Sequence, residues 1–479
     1  MVEIQKVQEI VLRKKDQVII MTDTATLKID QDSIKIDPQL LFQRLITAAQ
    51  GSVPVEDLKD FFGHELCTFP PSLFESDHLM RTANKATLAN EMIRCAKLNN
   101  EELERRINFD NQSENFKYVI DGGSLLHKLS WPRGNTYNQI CGMYVKYLVE
   151  NYNKPIVVFD GYDGGPSTKD NVHIRRTGGR MGAEVLVRGD LLMNTKKQQF
   201  LLNQQNKQKF IYLMDAHLHA SGIETLHAPA DADFLIVNTA VRMASEYNTI
   251  VIGEDTDLLV LLCYHADIVN NQLFLQGRNG KFVNIPAVQD SLGKEICSNL
   301  LFIHAVLGCD TVSKPSGLGK PSATKMFKQN ELFRKCAIVF NAMPDNVSNL
   351  DVIKAGEEAM LCLYHADPKK ITSLNELRMK QFLDKTSNTS VPINPKSLPP
   401  TEDACKYHSL RVYHQILTWK GIPADPLDFG WEKKGSFLYP ITTRHPAAPD
   451  NVLKVVRCSC KTGCKTMACS CRKLSLPCS

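Results

Sequence analysis

The chain has 479 residues and a formal charge of +5, from 57 Lys and Arg against 52 Asp and Glu. One hydrophobic core rarely grows past about 250–300 residues, so this length suits two or three domains. At 43% hydrophobic and 23% charged the composition is that of a globular protein, which excludes a mostly disordered or collagen-like chain, and no apolar run reaches the roughly 18 residues of a membrane helix.

The first stretch, MVEIQKVQEIVLRKKDQVII, scatters charges among its apolar residues and lacks a signal-peptide core, so an intracellular protein without membrane association is expected. Residues 1–112 form a mixed strand and helix region. QVIIM and SIKI suit short strands, while PQLLFQRLITAA and NKATLANEMIRCAKLNNEELERRI have helical apolar spacing. No motif in this region carries chemistry.

From Tyr118 to Phe327 short apolar runs end in acidic residues, as in YVIDGG, PIVVFDG and TIVIGEDTD, and helical stretches separate them. Buried strands alternating with helices predict a mostly parallel sheet covered on both faces, a three-layer α/β/α core spanning residues 113–330. Asn279-Gly280, between two apolar runs, predicts a hairpin. Residues 331–390 read as a helical extension, and 391–402, with four prolines, as a linker. A small aromatic module (403–443) holding Trp419 and Trp431 follows, then a second linker (444–457) and a cysteine-rich tail (458–479).

The aspartates of the α/β region recur in one context. Asp121, Asp160 and the Asp255/Asp257 pair follow apolar strands, Asp231 and Asp233 precede a helix, and Asp310 closes LLFIHAVLGCD. Strand ends of a doubly wound sheet converge on the edge where ligands bind. Seven carboxylates gathered there would repel one another unless divalent cations neutralised them. Mg²⁺ takes hard oxygen ligands, and two such ions can hold the attacking and leaving oxygens of a phosphodiester displacement. Any one of these aspartates is equally at home as a helix cap or a turn residue. The ordered series is much harder to assign to caps alone.

Three further features accompany the series. Residues 161–210 carry nine bases (Lys169, Arg175, Arg176, Arg180, Arg188, Lys196, Lys197, Lys207, Lys209) against four acids, a local charge of +5 suited to phosphates. After Asp310, Gly317-Leu318-Gly319 predicts a tight turn whose amides and following helix N-terminus, with Lys320, hold a backbone phosphate. The histidines lack zinc-protease spacing, and His304 reads as a satisfied structural residue. The tail spaces Cys458, Cys460, Cys464, Cys469, Cys471 and Cys478 as C-x-C-x3-C-x4-C-x-C-x6-C, interleaved with bases and no acid. In a reducing compartment that density points to structural zinc, with metal storage as the alternative.

VIDGG, VVFDG, HAPADAD, GEDTD and LGCD, in this order, resemble the flap endonuclease or XPG-like nucleases of the wider PIN-like group. The resemblance implies a nuclease using two Mg²⁺ or Mn²⁺ ions to cut DNA or RNA by water attack. It implies Asp121, Asp160, Asp233 and Asp255 as first metal ligands, with Asp231, Asp257 and Asp310 completing the two sites. It also implies a basic arch over residues 161–210 and a phosphate-holding helical hairpin at Gly317–Ala323. Two departures stand out. Aspartate replaces the family's glutamate at Asp231 and Asp233, and about 110 residues precede the first strand, without the family's short Gly-containing N-terminal motif. CSCKTGCKTMACSCRK resembles the CXC domain of tesmin/TSO1-like and chromatin-associated DNA-binding proteins, which implies zinc, DNA contact and a nuclear location. The departures keep a second reading open: a non-catalytic DNA-binding or chromatin protein that retains the nuclease scaffold.

Overall fold

The structure, a computed structural model, describes residues 25–29, 32–36, 43, 55–96, 116–152, 154–162, 167–169, 182–266, 272–277, 280–388, 392–435 and 437–449. The six tail cysteines, Arg175, Arg176 and Arg180 lie outside these residues. So do QVIIM and nearly all of PQLLFQRLITAA. Before the central sheet come the hairpin β1 (Ala25–Ile29) and β2 (Asp32–Ile36), the helix Val55–Phe62, the short hairpin β3 (Phe74–Ser76) and β4 (Leu79–Met80), and the helix Ala86–Cys95.

The central sheet has six strands: β5 (Phe116–Asp121), β6 (Ile156–Phe159), β7 (Glu224–His227), β8 (Asn248–Ile252), β9 (Leu273–Gln276) and β10 (Phe282–Asn284). Their order is β10-β9-β8-β5-β6-β7. β5 to β9 are mutually parallel, and β10 pairs antiparallel with β9, as the expected hairpin requires, although Asn279 itself lies outside the described residues. Gly280 has φ +70°, the left-handed conformation such a turn asks of glycine.

Strand alternation sorts the apolar residues into two cores. Val119, Val158 and Val251 face one way, toward the helices Asp233–Ala244 and Thr256–His265. Tyr118, Ile120, Val157, Phe159 and Ile250 face the other, toward Tyr137–Asn151 and Gln204–Ala220. Helices on both faces of a mostly parallel sheet make three α/β/α layers. Chain order runs outward from β5 through β6 to β7, then jumps back to β8 beside β5. The β5/β8 boundary is therefore the switch point, where loops diverge and leave a crevice at the strand ends.

The first core extends well beyond the sheet. The helices Glu331–Asn341, Asn349–Leu363, Leu374–Asn388 and Glu402–Trp419 contribute Phe333, Ala359, Leu377 and Trp419 to it. Leu88 and Met92 of the helix Ala86–Cys95 are buried in it as well. Trp431 of the last hairpin, β11 (Trp431–Lys434) with β12 (Phe437–Pro440), joins Leu73, Phe74 and Met80 in a smaller cluster. Buried Arg378 ties the N-terminal region down by donating to the carbonyls of Glu65 and Pro399 at 3.0 and 2.6 Å. No helix among the described residues is long and apolar enough to cross a membrane.

Candidate active site

Each carboxylate reaches the crevice because a strand or helix ends there. Asp121 closes β5 and caps the next helix, its Oδ1 accepting the Gly123 amide at 2.8 Å. Asp255 does the same after β8, accepting the Asp257 amide at 3.0 Å. Both are helix caps, the structural role open to any such residue, and both also stand at the switch point.

Asp160, just past β6, is held on both oxygens. Its Oδ1 accepts the Ala232 amide at 3.0 Å and its Oδ2 the Tyr162 hydroxyl at 2.8 Å. Lys207 donates to that same hydroxyl. The loop after β7 presses so closely on this strand end that a Cβ on Gly161 would sit 2.4 Å from the Ala228 carbonyl. Only glycine fits there.

Asp121 and Asp160 face each other across Gly123, whose missing Cβ would lie 3.1 Å from Asp121 Oδ1 and 3.4 Å from Asp160 Oδ2. Among the described residues neither makes an ion pair with a basic side chain. Burial, and then the neighbouring Asp160 charge, push Asp121 up to about 6.

The other carboxylates already have cations. Lys169 lies 2.6 Å from Asp231 Oδ1 and 3.6 Å from Asp233 Oδ2, within the acidic centre itself. Burial and the Asp231 charge nevertheless push Asp233 above the ordinary carboxylate range. Asp255, Asp257 and Asp310 can offer oxygens within 4.8 Å of one another. Between them stands Lys85, whose Nζ is 2.6 Å from Asp257 Oδ2, 2.9 Å from Asp310 Oδ1 and 3.6 Å from Asp255 Oδ1. Burial and the Asp257 charge push Asp255 up. Burial acts to raise Asp257 too, but Lys85 and then His304 hold it well below its usual value.

His304 is fully buried, and its Nε2 meets Asp257 Oδ1 at 2.8 Å. Its Nδ1 faces Lys320 Nζ at 3.0 Å, so the network assigns the ring proton to Nε2. Burial and the Lys320 charge push His304 down to about 4. It is satisfied, as the sequence suggests, and its partner is one of the seven carboxylates.

Lys320 corrects the sequence reading. It was expected to meet a backbone phosphate, yet it is 3% exposed and donates inward to the carbonyls of His304 and Gly308. The first turn of the helix Lys320–Gln329 aims its side chain into the core, and burial pushes it down to about 8. Gly317, at φ +78°, and Gly319, at the helix N-terminus, form the turn ahead of it.

Sequence reasoning missed Lys85, Tyr162 and the liaison of His304 with Asp257. Lys85 had one local signal. It stands at a helix N-terminus with no side-chain cap and no acid in the first turn, an unfavourable place for a cation. A cavity of about 220 Å³ opens beside Asp121, lined by Ser124, Lys128, Tyr147, Tyr152, Gly253 and Gln276.

No protein-family model matches the chain, and no curated protein matches it. Among solved structures it is similar to the catalytic core of Rad2 in complex with DNA substrate, at 14% identity over 64% of this chain and 89% of that one, TM-score 0.31. It is similar to the T5 D15 protein co-crystallized with metal ions, at 14% identity over 57% of this chain and 97% of that one, TM-score 0.31. A third likeness is to the Holliday junction-resolving enzyme GEN1 in complex with product DNA and Mg²⁺, at 14% identity, covering 67% of this chain and 62% of that one, TM-score 0.32. Likenesses this distant carry no weight for what the site does.

Proposed function

We propose that this chain is a metal-dependent nuclease that hydrolyses phosphodiester bonds of DNA and selects its substrate by structure. The observation that carries this reading is the meeting of seven aspartates, from five separate places in the chain, around the switch point of one sheet. Such a concentration of negative charge, Asp257 buried and the rest partly so, is costly unless cations are taken up there.

The fit to a hard cation is best at Asp121 and Asp160. They are all-oxygen ligands, they face each other across Gly123, and among the described residues no lysine forms an ion pair with them. Asp255, on the adjoining strand, is the third candidate for that ion, Mg²⁺ or Mn²⁺. Bound there, the cation supplies charge neutralisation and Lewis-acid polarisation of a phosphoryl oxygen. Tyr162 and the Ala232 amide hold Asp160 in place. Lys169 is held by Asp231 and Asp233 inside the centre, and the Gly317–Gly319 turn offers amides to a backbone phosphate further along. Water adds to phosphorus, and the bridging oxygen leaves with a proton. The tail cysteines, Cys458 to Cys478, are proposed to hold structural Zn²⁺ and contact DNA, which suits a nuclear protein.

A second reading has an observation of its own. Lys85 and Lys169 already neutralise part of the acidic charge, as a retained, non-catalytic scaffold would. The purified chain incubated with branched and single-stranded DNA separates the two readings. Cleavage that needs Mg²⁺ or Mn²⁺ and stops in chelator is expected. Salt-sensitive binding with no cleavage in either metal would favour the scaffold reading instead.

A further inference from the structure

We propose that Lys85 is the resident cation of the Asp255–Asp257–Asp310 cluster, so that the acidic centre takes one divalent ion where its carboxylates would otherwise take two. The inference rests on reading the centre as a cation site. It departs from the two-ion expectation raised by the order of the aspartates.

The donor set alone would suit a hard divalent ion, with three carboxylates whose oxygens lie within 4.8 Å of one another. The ammonium group of Lys85 stands among those oxygens, 2.6 Å from Asp257, 2.9 Å from Asp310 and 3.6 Å from Asp255. A divalent ion shared by the same oxygens would need bonds of about 2.0–2.1 Å for Mg²⁺, which places it against the ammonium. Two cations cannot share that space without strong repulsion.

The lysine is built in. Its side chain is 17% exposed, and it starts a helix anchored in the main core by Leu88 and Met92, 2% and 1% exposed. The local placement is unfavourable, because the positive end of the helix dipole repels an ammonium. The compensation comes from Asp257, distant by 172 positions in sequence. Asp257 is in turn divided between two partners, Oδ2 to Lys85 and Oδ1 to His304. The Asp121/Asp160 pair, by contrast, brings its oxygens together over Gly123, whose Cβ position lies 3.1 and 3.4 Å from them, and makes no ion pair with a lysine among the described residues.

The test counts ions on the full-length protein with Mn²⁺, a hard ion poorly matched to the thiolate tail, by electron paramagnetic resonance of free and bound metal. The wild type is expected to bind one Mn²⁺ at this centre, Lys85→Met two, and Lys85→Arg one. Equal counts in the wild type and Lys85→Met would overturn the proposal. The wild type alone gives a second readout, should Lys85→Met fail to fold. Reductive methylation should leave the Lys85 amine protected with and without Mn²⁺. Methylation of Lys85 induced by Mn²⁺, or already rapid without it, would show that the ion or solvent takes its place, and would also overturn the proposal. Neither readout needs turnover, so failure here leaves the nuclease reading to its own cleavage assay.

Discussion

The two halves of the acidic centre are built from the same residue type and behave in opposite ways. On one side, Asp121 and Asp160 meet without an ion pair to a basic side chain among the described residues, and burial together with that meeting lifts Asp121 to about 6. On the other, Asp257 is only 4% exposed, yet Lys85 and His304 hold it firmly ionised. Burial acts the same way on both, so the neighbours decide the outcome. One half is poised to receive a cation. The other already has one.

The largest effect expected from breaking this contrast is on cleavage. Asp160→Ala should lower metal-dependent single-turnover cleavage on the order of 10³-fold, the scale of several kcal/mol of transition-state charge stabilisation. An effect below tenfold would move the reacting centre elsewhere.

Next comes Lys85. Its removal strands Asp257 and Asp310 among buried neighbours, and breaking a buried ion pair costs about 3–5 kcal/mol. Lys85→Met should therefore lower stability by about 3 kcal/mol in chelator, and Mn²⁺ should restore much of it. Thermal unfolding with and without the ion measures both.

A smaller effect has opposite signs in the two halves. Asp121 sits at about 6 when folded, above its usual 3.8. Between those values the folded protein binds the extra proton, so this group's contribution to stability falls as pH rises from about 4 to 6. The penalty is complete above that window. Asp257 is held well below its usual value, so its contribution is present at neutral pH and is lost progressively as pH falls below about 4. In chelator at pH 8, Asp121→Asn should stabilise the protein by about 1–3 kcal/mol, while Asp257→Asn destabilises it. Urea unfolding reads the difference, and the same sign for both variants would dissolve the distinction between the halves.

The smallest effect is a control at the surface. Arg188 and Asp190 pair at 2.6 Å but are 64% and 62% exposed. Arg188→Gln should leave the melting temperature unchanged within error, because solvent screens such pairs.

Much of this arrangement was legible in the sequence because it is local. An apolar strand running into Asp, or Asp just before a helix, can be read from a few residues. The switch point follows from the strand–helix alternation, and the hairpin from Asn279-Gly280. Lys85 was not legible, since its partners come from strands and loops far down the chain. Its only mark was a cation at a helix start, too weak to stand out among 57 Lys and Arg. Lys320 was misread for the opposite reason. Its local motif suggested a phosphate ligand, but the direction of its side chain is set by the helix packing around His304 and Gly308. The expectations for Arg175, Arg176, Arg180 and the tail cysteines fall outside the described residues and stand as proposals.

The central claim is that the unpaired half of the acidic centre performs metal-dependent hydrolysis. Its most direct test is Mn²⁺-dependent cleavage of a branched DNA by the wild type and by the Asp121→Ala, Asp160→Ala double variant, each shown to be folded by circular dichroism. Cleavage by the wild type, none by the double variant and none in chelator is the predicted result. Robust cutting by the double variant, or a folded wild type that cuts nothing with either Mn²⁺ or Mg²⁺, would contradict it.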